Sequence, residues 1–595
     1  MKPVPTYPET AVELFALRDG VGPILYAPIG QLMARVNEPA AACALAYASD
    51  HAALESMTED ERAVVNELAA HGFFDERPLP RGEGAFRPVQ VTLFPTNRCN
   101  LRCSYCYAFG GEGGASGEPL VEMSPDVARA AIDFVADNAR ALADEGCEAS
   151  CFIVSIHGNG EPFCAFGLMR EIVRFGREAS ERVGVPVVFN TATNGVLSDE
   201  QLDFLLRNFD SVNISFDGLP AFQDANRPTA GGGGSFASID RTMRALQDAG
   251  VEFGIRTTVT ASMVARMSEI VAFVADNYAA TEQIHLEPVW ECGRCTTSDD
   301  AMPSAQAFTE SYLAALDVAD ARGVKLIYSG ARQELVCDAF CKVGGGSFTV
   351  TPAGDVTACY EVSYASDPRS QRFFFGRFDE QAGAFVFDRG KLEELGRLNV
   401  RNFPYCSDCF CKWHCAGDCA AKVLVGISPE AHAGSVRCEV NRTLTLDQIS
   451  RKLDWNPPEE RGDADGREEI RRPRACERGR DGASQAADPD HRGWQERFQA
   501  GHEDVFRRRQ RRFVGQRGHG QDRGNVLQLR HRGEHAPRVH VRERVDVQLR
   551  GAQCRHLLVR CLQAGRRRRW LLLPIGELRQ PVRVHSRPRQ VGGRT

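Results

Sequence analysis

The chain has 595 residues, enough for several domains and a large buried core. Its formal net charge of −7 divides unevenly: residues 461–595 hold 33 Arg, no Lys and 16 acidic residues, leaving a net −24 for residues 1–460. That acidic body argues against a general nucleic-acid surface. The 21 Cys are too dilute for a small disulfide scaffold. No apolar run is long enough to span a bilayer, and no signal segment opens the chain, so a cytoplasmic protein with metal-binding thiols is expected.

Residues 1–86 read as a small α+β domain. Pro23–Ala27 and Leu32–Val36 carry strand patterns, and Glu38–Ala48 is an Ala-rich helix. A second helix starts at Thr58-Glu-Asp-Glu61, a capping-box sequence, and runs to Gly72. Two short strands followed by helices resemble the winged-helix-like domains that recognise leader peptides beside peptide-modifying enzymes. Such a domain would add an extended peptide to a sheet edge. A plain packing extension of the next domain is the other reading.

From residue 87 the pattern alternates. Strands are expected at Val89–Phe94, Cys151–Ile156, Val187–Asn190, Ser211–Phe216, Phe253–Val259 and Ile284–Val289. Helical stretches between them include Ser124–Asp144, Ser198–Asn208, Ser235–Gly250 and Met263–Asn277. Six β/α repeats imply a parallel sheet with helices outside, and a site at the C-terminal ends of the strands. The loop after the first strand reads Cys99-Asn-Leu-Arg-Cys103-Ser-Tyr105-Cys106. Three thiolates at this spacing can hold three irons of a [4Fe–4S] cube and leave one iron open. Three of four zinc ligands, or part of a disulfide framework, are the competing readings.

The loop resembles the signature of the radical SAM (S-adenosylmethionine) superfamily, and the repeats resemble its partial (β/α)6 TIM-like barrel, here residues 87–300. The resemblance implies that the open iron binds the amino and carboxylate groups of SAM while Tyr105 flanks its adenine. Glycine-rich His157-Gly158-Asn159-Gly160-Glu161-Pro162 lies where the family has a Gly-Gly-Glu-Pro contact to the SAM amino group. Asn159 replaces one glycine there. Thr193-Asn194 and Ser215-Phe216-Asp217 resemble segments around the methionine and ribose of SAM. Arg227 follows as in the sulfatase-maturase-like branch and is expected at the cofactor, and Arg256 is a candidate partner of the SAM carboxylate, since guanidinium suits that geometry; a surface ion pair is the plain alternative for both. Glu287-Pro288-Val289 is expected as a wall against adenine, and Cys292 and Cys295 as spare thiols nearby.

Residues 301–330 read as a connecting helix, and residues 331–450 hold a second cysteine field. Cys341 and Gly354-x₄-Cys359 precede Cys406-x₂-Cys409-x₅-Cys415-x₃-Cys419, and Cys438 closes the series. This resembles the seven-cysteine SPASM domain of peptide- and protein-modifying radical SAM enzymes. Cys337 makes an eighth thiol. The resemblance assigns Cys337, Cys341, Cys359 and Cys419 to one auxiliary [4Fe–4S] cluster, and Cys406, Cys409, Cys415 and Cys438 to another. Cys411 falls outside the pattern as a free thiol, and zinc is the competing metal. Sulfatase-maturing relatives carry an aspartate after the cysteine matching Cys359; this chain has Tyr360 and then Glu361. A phenol is a poor base near neutral pH, which weakens the formylglycine-forming reading unless Glu361 substitutes.

After residue 455 the Lys, Tyr and Met vanish. Residues 451–595 are expected to be a disordered or non-native tail. The whole reads as an enzyme that cleaves SAM reductively and modifies a ribosomally made peptide by cross-linking or oxidation. Its electrons would come from a flavodoxin or ferredoxin, with no membrane or nucleic-acid partner. An anaerobic sulfatase-maturating type of enzyme, and a non-catalytic iron–sulfur or zinc protein, are the alternatives.

Overall fold

The computed structural model describes residues 9–80, 86–146, 151–298, 301–341, 343 and 346–454, with two further strands at 557–561 and 569–573. The chain divides into two compact units, one built on Pro80–Thr445, the other on residues 9–79 with 446–454 and those two strands.

In the smaller unit, β1 (Thr10–Ala11) pairs with β5 (Arg77–Pro78), and β2 (Phe15–Arg18), β3 (Pro23–Ala27) and β4 (Leu32–Arg35) form an antiparallel meander. Helix α1 (Glu38–Ser49) begins where the Asn37 side chain accepts from the Ala40 amide at 2.8 Å. A short α2 (Ala53–Ser56) leads to α3 (Glu59–Ala70), whose Thr58–Glu61 capping box is complete. Leu25, Leu32, Ala44, Val64, Leu68 and Phe73 form the core between meander and helices. Arg35 grips Asp19 with two hydrogen bonds of 2.9 Å, and Ser450 adds a third at 2.8 Å. Leu557–Cys561 runs antiparallel along β4, with Arg569–Leu573 antiparallel beyond it. The expectation for the rest of the tail lies outside the described residues.

In the larger unit, seven parallel strands follow one another in sequence order: β6 (Gln90–Leu93), β7 (Phe152–Ile156), β8 (Val187–Thr193), β9 (Ser211–Ser215), β10 (Phe253–Val259), β11 (Thr281–Pro288) and β12 (Lys325–Ile327). An order without reversal winds the helices in one direction, as in a barrel rather than a doubly wound sheet. The connecting helices are α4 (Pro125–Asp144), α5 (Phe166–Val183), α6 (Asp199–Asn208), α7 (Pro220–Asn226), α8 (Phe236–Asp248), α9 (Met267–Asn277) and α10 (Ala305–Arg322). Ser124, Ser198 and Ser304 cap α4, α6 and α10. The sequence pattern implied six strands; β12, which follows α10, is the seventh.

The sheet does not close. Beyond β6 it continues through β13 (Thr349–Val350), parallel to β6, and the antiparallel β14 (Asp355–Thr357), β15 (Phe374–Asp379) and β16 (Ala384–Phe387). The second cysteine field is therefore sewn into the same eleven-stranded sheet as the barrel strands. Cys359 sits just past the end of β14, facing the barrel mouth through its neighbour Tyr360.

Candidate functional site

The cysteine loop leaves the end of β6 and is pinned from several sides. Asn97 holds the segment beyond it, donating to the Pro119 carbonyl at 3.0 Å and accepting from the Val121 amide at 2.7 Å. The Arg102 and Ser104 amides donate to the Pro228 and Asn226 carbonyls at 2.8 and 2.9 Å. Arg294, in the Cys292–Cys295 turn, donates to the Cys103 and Gly110 carbonyls at 2.9 and 2.8 Å. Backbone donors also reach sulfur: Leu101 N lies 3.5 Å from Cys99 Sγ, and Gly110 N 3.4 Å from Cys106 Sγ. A Cβ on Gly110 would stand 3.2 Å from the Cys99 Cβ, so glycine keeps the space between these thiols open.

Cys99, Cys103 and Cys106 lie within electrostatic reach of one another. Burial, followed by the neighbouring charges, pushes the Cys99 thiol up, and burial carries Cys103 up to about 12. Left alone Cys99 and Cys103 would stay protonated; a cationic centre is what makes such thiols thiolates. Among the described residues no three His, Cys, Asp or Glu side chains are grouped to hold a single metal ion. The donor set fits the three-thiol side of a [4Fe–4S] cube.

Glu161 stands beside this loop with only 2 % of its surface exposed. One carboxylate oxygen accepts from Thr193 Oγ1 at 2.7 Å and from Phe163 N at 3.2 Å; the other accepts from Asn194 N at 2.7 Å. Burial raises its pKa to about 7, against the pull of those donors. Asn194 also donates to Asn100 Oδ1 at 2.7 Å, and its amide nitrogen lies 3.9 Å from Cys99 Sγ. Cys99, Glu161, Thr193 and Asn194, singled out from separate segments, therefore meet. A Cβ on Gly160 would fall 2.1 Å from the Arg98 carbonyl oxygen, and one on Gly158 2.3 Å from Phe94. Asn159 takes a left-handed φ of 55°, which asparagine tolerates, and accepts from Ser363 Oγ at 2.8 Å. Its amide nitrogen is buried without a partner. Pro162 is buried and starts a 3₁₀ turn.

Tyr105 belongs to a different cluster. Its hydroxyl donates to Asp217, which also pairs with Arg227 at 3.0 Å and accepts from Asn226 at 3.3 Å. The Arg227 guanidinium lies 5.2 Å from the Tyr105 ring centroid. Tyr105 also packs with Val289, Cys295 and Cys103. Of the expected Glu287-Pro288-Val289 wall, Val289 is the residue that packs on Tyr105. Glu287 is drawn elsewhere: its carboxylate accepts from His285 at 2.9 Å and Ser329 N at 2.8 Å, and faces Arg437 at 3.7 Å. Burial works against that carboxylate, but the His285 hydrogen bond and the Arg437 and Lys422 charges hold its pKa well below the usual range. Ser215 and Arg256 are register partners on β9 and β10.

The eight thiols of the second field have charge neighbours among themselves in two sets. Cys341 lies within reach of Cys337, Cys359 and Cys419, and Cys359 within reach of Cys419. Cys406 lies within reach of Cys409, Cys438 and Cys415. Cys411, expected outside the pattern, packs against the second group with its sulfur 3.3 Å from Cys409 Sγ. Asn441 donates to Cys415 Sγ at 3.4 Å and to Asp418 at 3.1 Å, and Asp418 is clamped by Arg437 at 2.8 and 3.0 Å. Arg437 and Asn441, both on the helix Val436–Asp454, went unnoticed in the sequence because their partners lie far from them in the chain. Tyr360 projects toward the barrel, its ring 4.7 Å from that of His157 and its hydroxyl 3.4 Å from Thr92 Oγ1. Glu361, considered as a substitute base, pairs with Lys422 at 3.2 Å and Arg369 at 3.9 Å.

The radical SAM superfamily model matches residues 93–265. That stretch is a radical SAM domain, and such a domain works with one [4Fe–4S] cluster and SAM. Over 187 residues it is 29% identical to the uncharacterized protein MJ0907 of Methanocaldococcus jannaschii, covering 31% of this chain and 57% of that one. Over 229 residues it is 28% identical to the sporulation killing factor maturation protein SkfB of Bacillus subtilis, covering 36% and 48%. The chain thus spans about half the length of these relatives. Among solved structures, native anSMEcpe with bound AdoMet is similar at 16% identity and a TM-score of 0.47, covering 61% of this chain and 98% of that one. Among the described residues no helix is long and apolar enough to cross a membrane.

Proposed function

We propose that this protein is a maturase that modifies a ribosomally made peptide by radical chemistry, forming a cross-link or an oxidised residue. The observation that carries the reading is one three-thiol loop tied through Asn194 to the buried Glu161, on the same unit as eight thiols that are one another's neighbours in two sets. Similarity to a protein named for maturation of the sporulation killing factor supports the peptide as substrate.

Cys99, Cys103 and Cys106 would hold the cluster with one iron open, and Cys337, Cys341, Cys359 and Cys419, with Cys406, Cys409, Cys415 and Cys438, two fully ligated clusters. When bound and reduced, the first cluster supplies cleavage of SAM to methionine and a 5′-deoxyadenosyl radical. The Glu161 carboxylate would accept from the SAM amino group, backed by Thr193 and Asn194, with Gly158, Asn159, Gly160 and Pro162 shaping the approach. Tyr105, held by Asp217 and Arg227, would offer its ring to the adenine, and Ser215 would line the ribose side. Burial of these groups excludes water from so reactive a species. Glu287 leaves the cofactor set, because Arg437 and His285 occupy it. The smaller unit would take the peptide along its sheet edge, and a flavodoxin or ferredoxin would supply electrons. The sulfatase-maturating alternative is disfavoured by Tyr360 and by the pairing of Glu361 with Lys422 and Arg369.

Anaerobic reconstitution tests the reading. With SAM and dithionite the wild-type protein should yield 5′-deoxyadenosine and bind about twelve irons per chain. No deoxyadenosine would refute it, and about eight irons would remove one auxiliary cluster.

A further inference from the structure

Arg256 is an inward guanidinium that the proposed chemistry leaves without a task. On β10 it stands between Ile255 and Thr257, both buried on the opposite face, so it faces the barrel interior, where it is exposed. Among the described residues its side chain has no hydrogen bond or ion pair, whereas Arg227, the other arginine expected at the cofactor, is committed to Asp217. Glu287, which is in register with Thr258 and so close by on the next strand, is already taken by His285 and Arg437.

The groups that feel the charge of Arg256 are His157 and Tyr360, neither of them a residue expected to touch SAM's methionine end. Their rings meet edge to face with centroids 4.7 Å apart. Burial and the Arg256 charge hold His157 neutral, down to about 3, so at neutral pH it offers a single N–H. The Tyr360 hydroxyl, beside Thr92, offers another donor, and 43% of Tyr360 is open to solvent. Arg256 is also three residues short of the end of its strand, whereas Glu161, Asn194 and Asp217 all lie beyond theirs. A guanidinium close enough for its charge to act on an imidazole and a phenol whose rings touch gives three donors that match a carboxylate.

We propose that Arg256, with His157 and Tyr360, forms a carboxylate-binding site on the inner barrel wall that anchors an acidic group of the peptide substrate. This rests on the maturase reading of the barrel. The anchored group could be an Asp or Glu side chain or the peptide's terminal carboxylate; the chemistry is shared.

Binding to the reconstituted full chain, measured by saturation-transfer NMR without reductant, tests it. The probes are acetyl-Ala-Asp-Ala-amide, its Asn counterpart, and acetyl-Ala-Ala-Ala with a free or an amidated terminus. At least one carboxylate probe should bind tenfold or more tightly than its amide partner, and which one does identifies the source. Arg256→Gln should erase that preference, Arg256→Lys keep part of it and Tyr360→Phe reduce it, all with unchanged circular dichroism and cluster absorbance. A wild-type protein that does not discriminate overturns the proposal, as does a preference that survives Arg256→Gln. So does a tenfold loss of SAM affinity in Arg256→Gln with the peptide probes unmoved, which would give Arg256 to the cofactor. Because the assay reads binding without turnover, failure of the maturase reading, seen as absent SAM cleavage by the wild type, remains distinguishable.

Discussion

The two cysteine regions of the larger unit solve different problems. The first places three thiols within eight residues on one loop, and the loop is shaped by its own backbone donors and by Arg294. The second spreads eight thiols over about a hundred residues, from Cys337 to Cys438, and interleaves its two groups. A local set can leave a coordination position open for chemistry without endangering the fold. A dispersed set closes loops, so metal there would hold the polypeptide together. Under the proposed function, the contrast would give reactivity to the first region and architecture with electron transfer to the second.

Removing a ligand from each region is the strongest way to break that contrast. Cys103→Ala should abolish deoxyadenosine formation, at least a thousandfold, while about eight irons and the melting temperature survive. Retained cleavage would end the assignment of the loop. Cys419→Ala should do the opposite kind of damage: loss of about four irons and a fall in melting temperature of about 10 °C or more. An unchanged melting curve would show that the second region is not a structural clamp.

Much of this was legible because alternation survives in the sequence. Strands such as Phe253–Val259 coincide with their expected limits, and the Thr58 capping signal and the expected start at Ser198 mark true helix starts. What escaped was non-local or very short. The strand Lys325–Ile327 has three residues after a glycine cap, too few to carry a period. Thr349–Val350 becomes a strand by pairing with Thr92 and Leu93, more than 250 residues earlier, and nothing near it announces that partner. Glu287 was expected at SAM from its place at a strand end; Arg437, 150 residues on, redirects it. His157 was seen only as the start of a glycine-rich turn, because its neighbour Tyr360 comes from the other cysteine region.

A smaller effect sharpens the reactive side. Glu161 accepts from its partner only as a carboxylate, and burial lifts its pKa from the ordinary 4.5 to about 7. The ionised form therefore prevails above pH 7 and is lost as the pH falls through it. SAM affinity of the reconstituted protein should be level above pH 8 and weaken by about tenfold per unit below 7. Glu161→Gln should bind SAM weakly at every pH, by about tenfold or more. A titration that stays flat between pH 6 and 8 in the wild type would separate Glu161 from the cofactor.

The smallest expected effect tests whether the second region is as closed as its grouping implies. Cys411 lies 3.3 Å from Cys409, making five thiols for four positions. Their contact, helped by Arg442 and opposed by burial, places Cys409 down at about 6, whereas Cys411 is pushed up. Of the two, Cys409 is thus the sulfur already disposed to be thiolate, and Cys411 the donor that supports it. Cys411→Ser keeps a donor of similar shape, so iron content should stay within about one atom of wild type and deoxyadenosine formation should be unaffected. Loss of about four irons would instead make Cys411 a ligand and displace one of the four sulfurs now grouped without it, most directly Cys409.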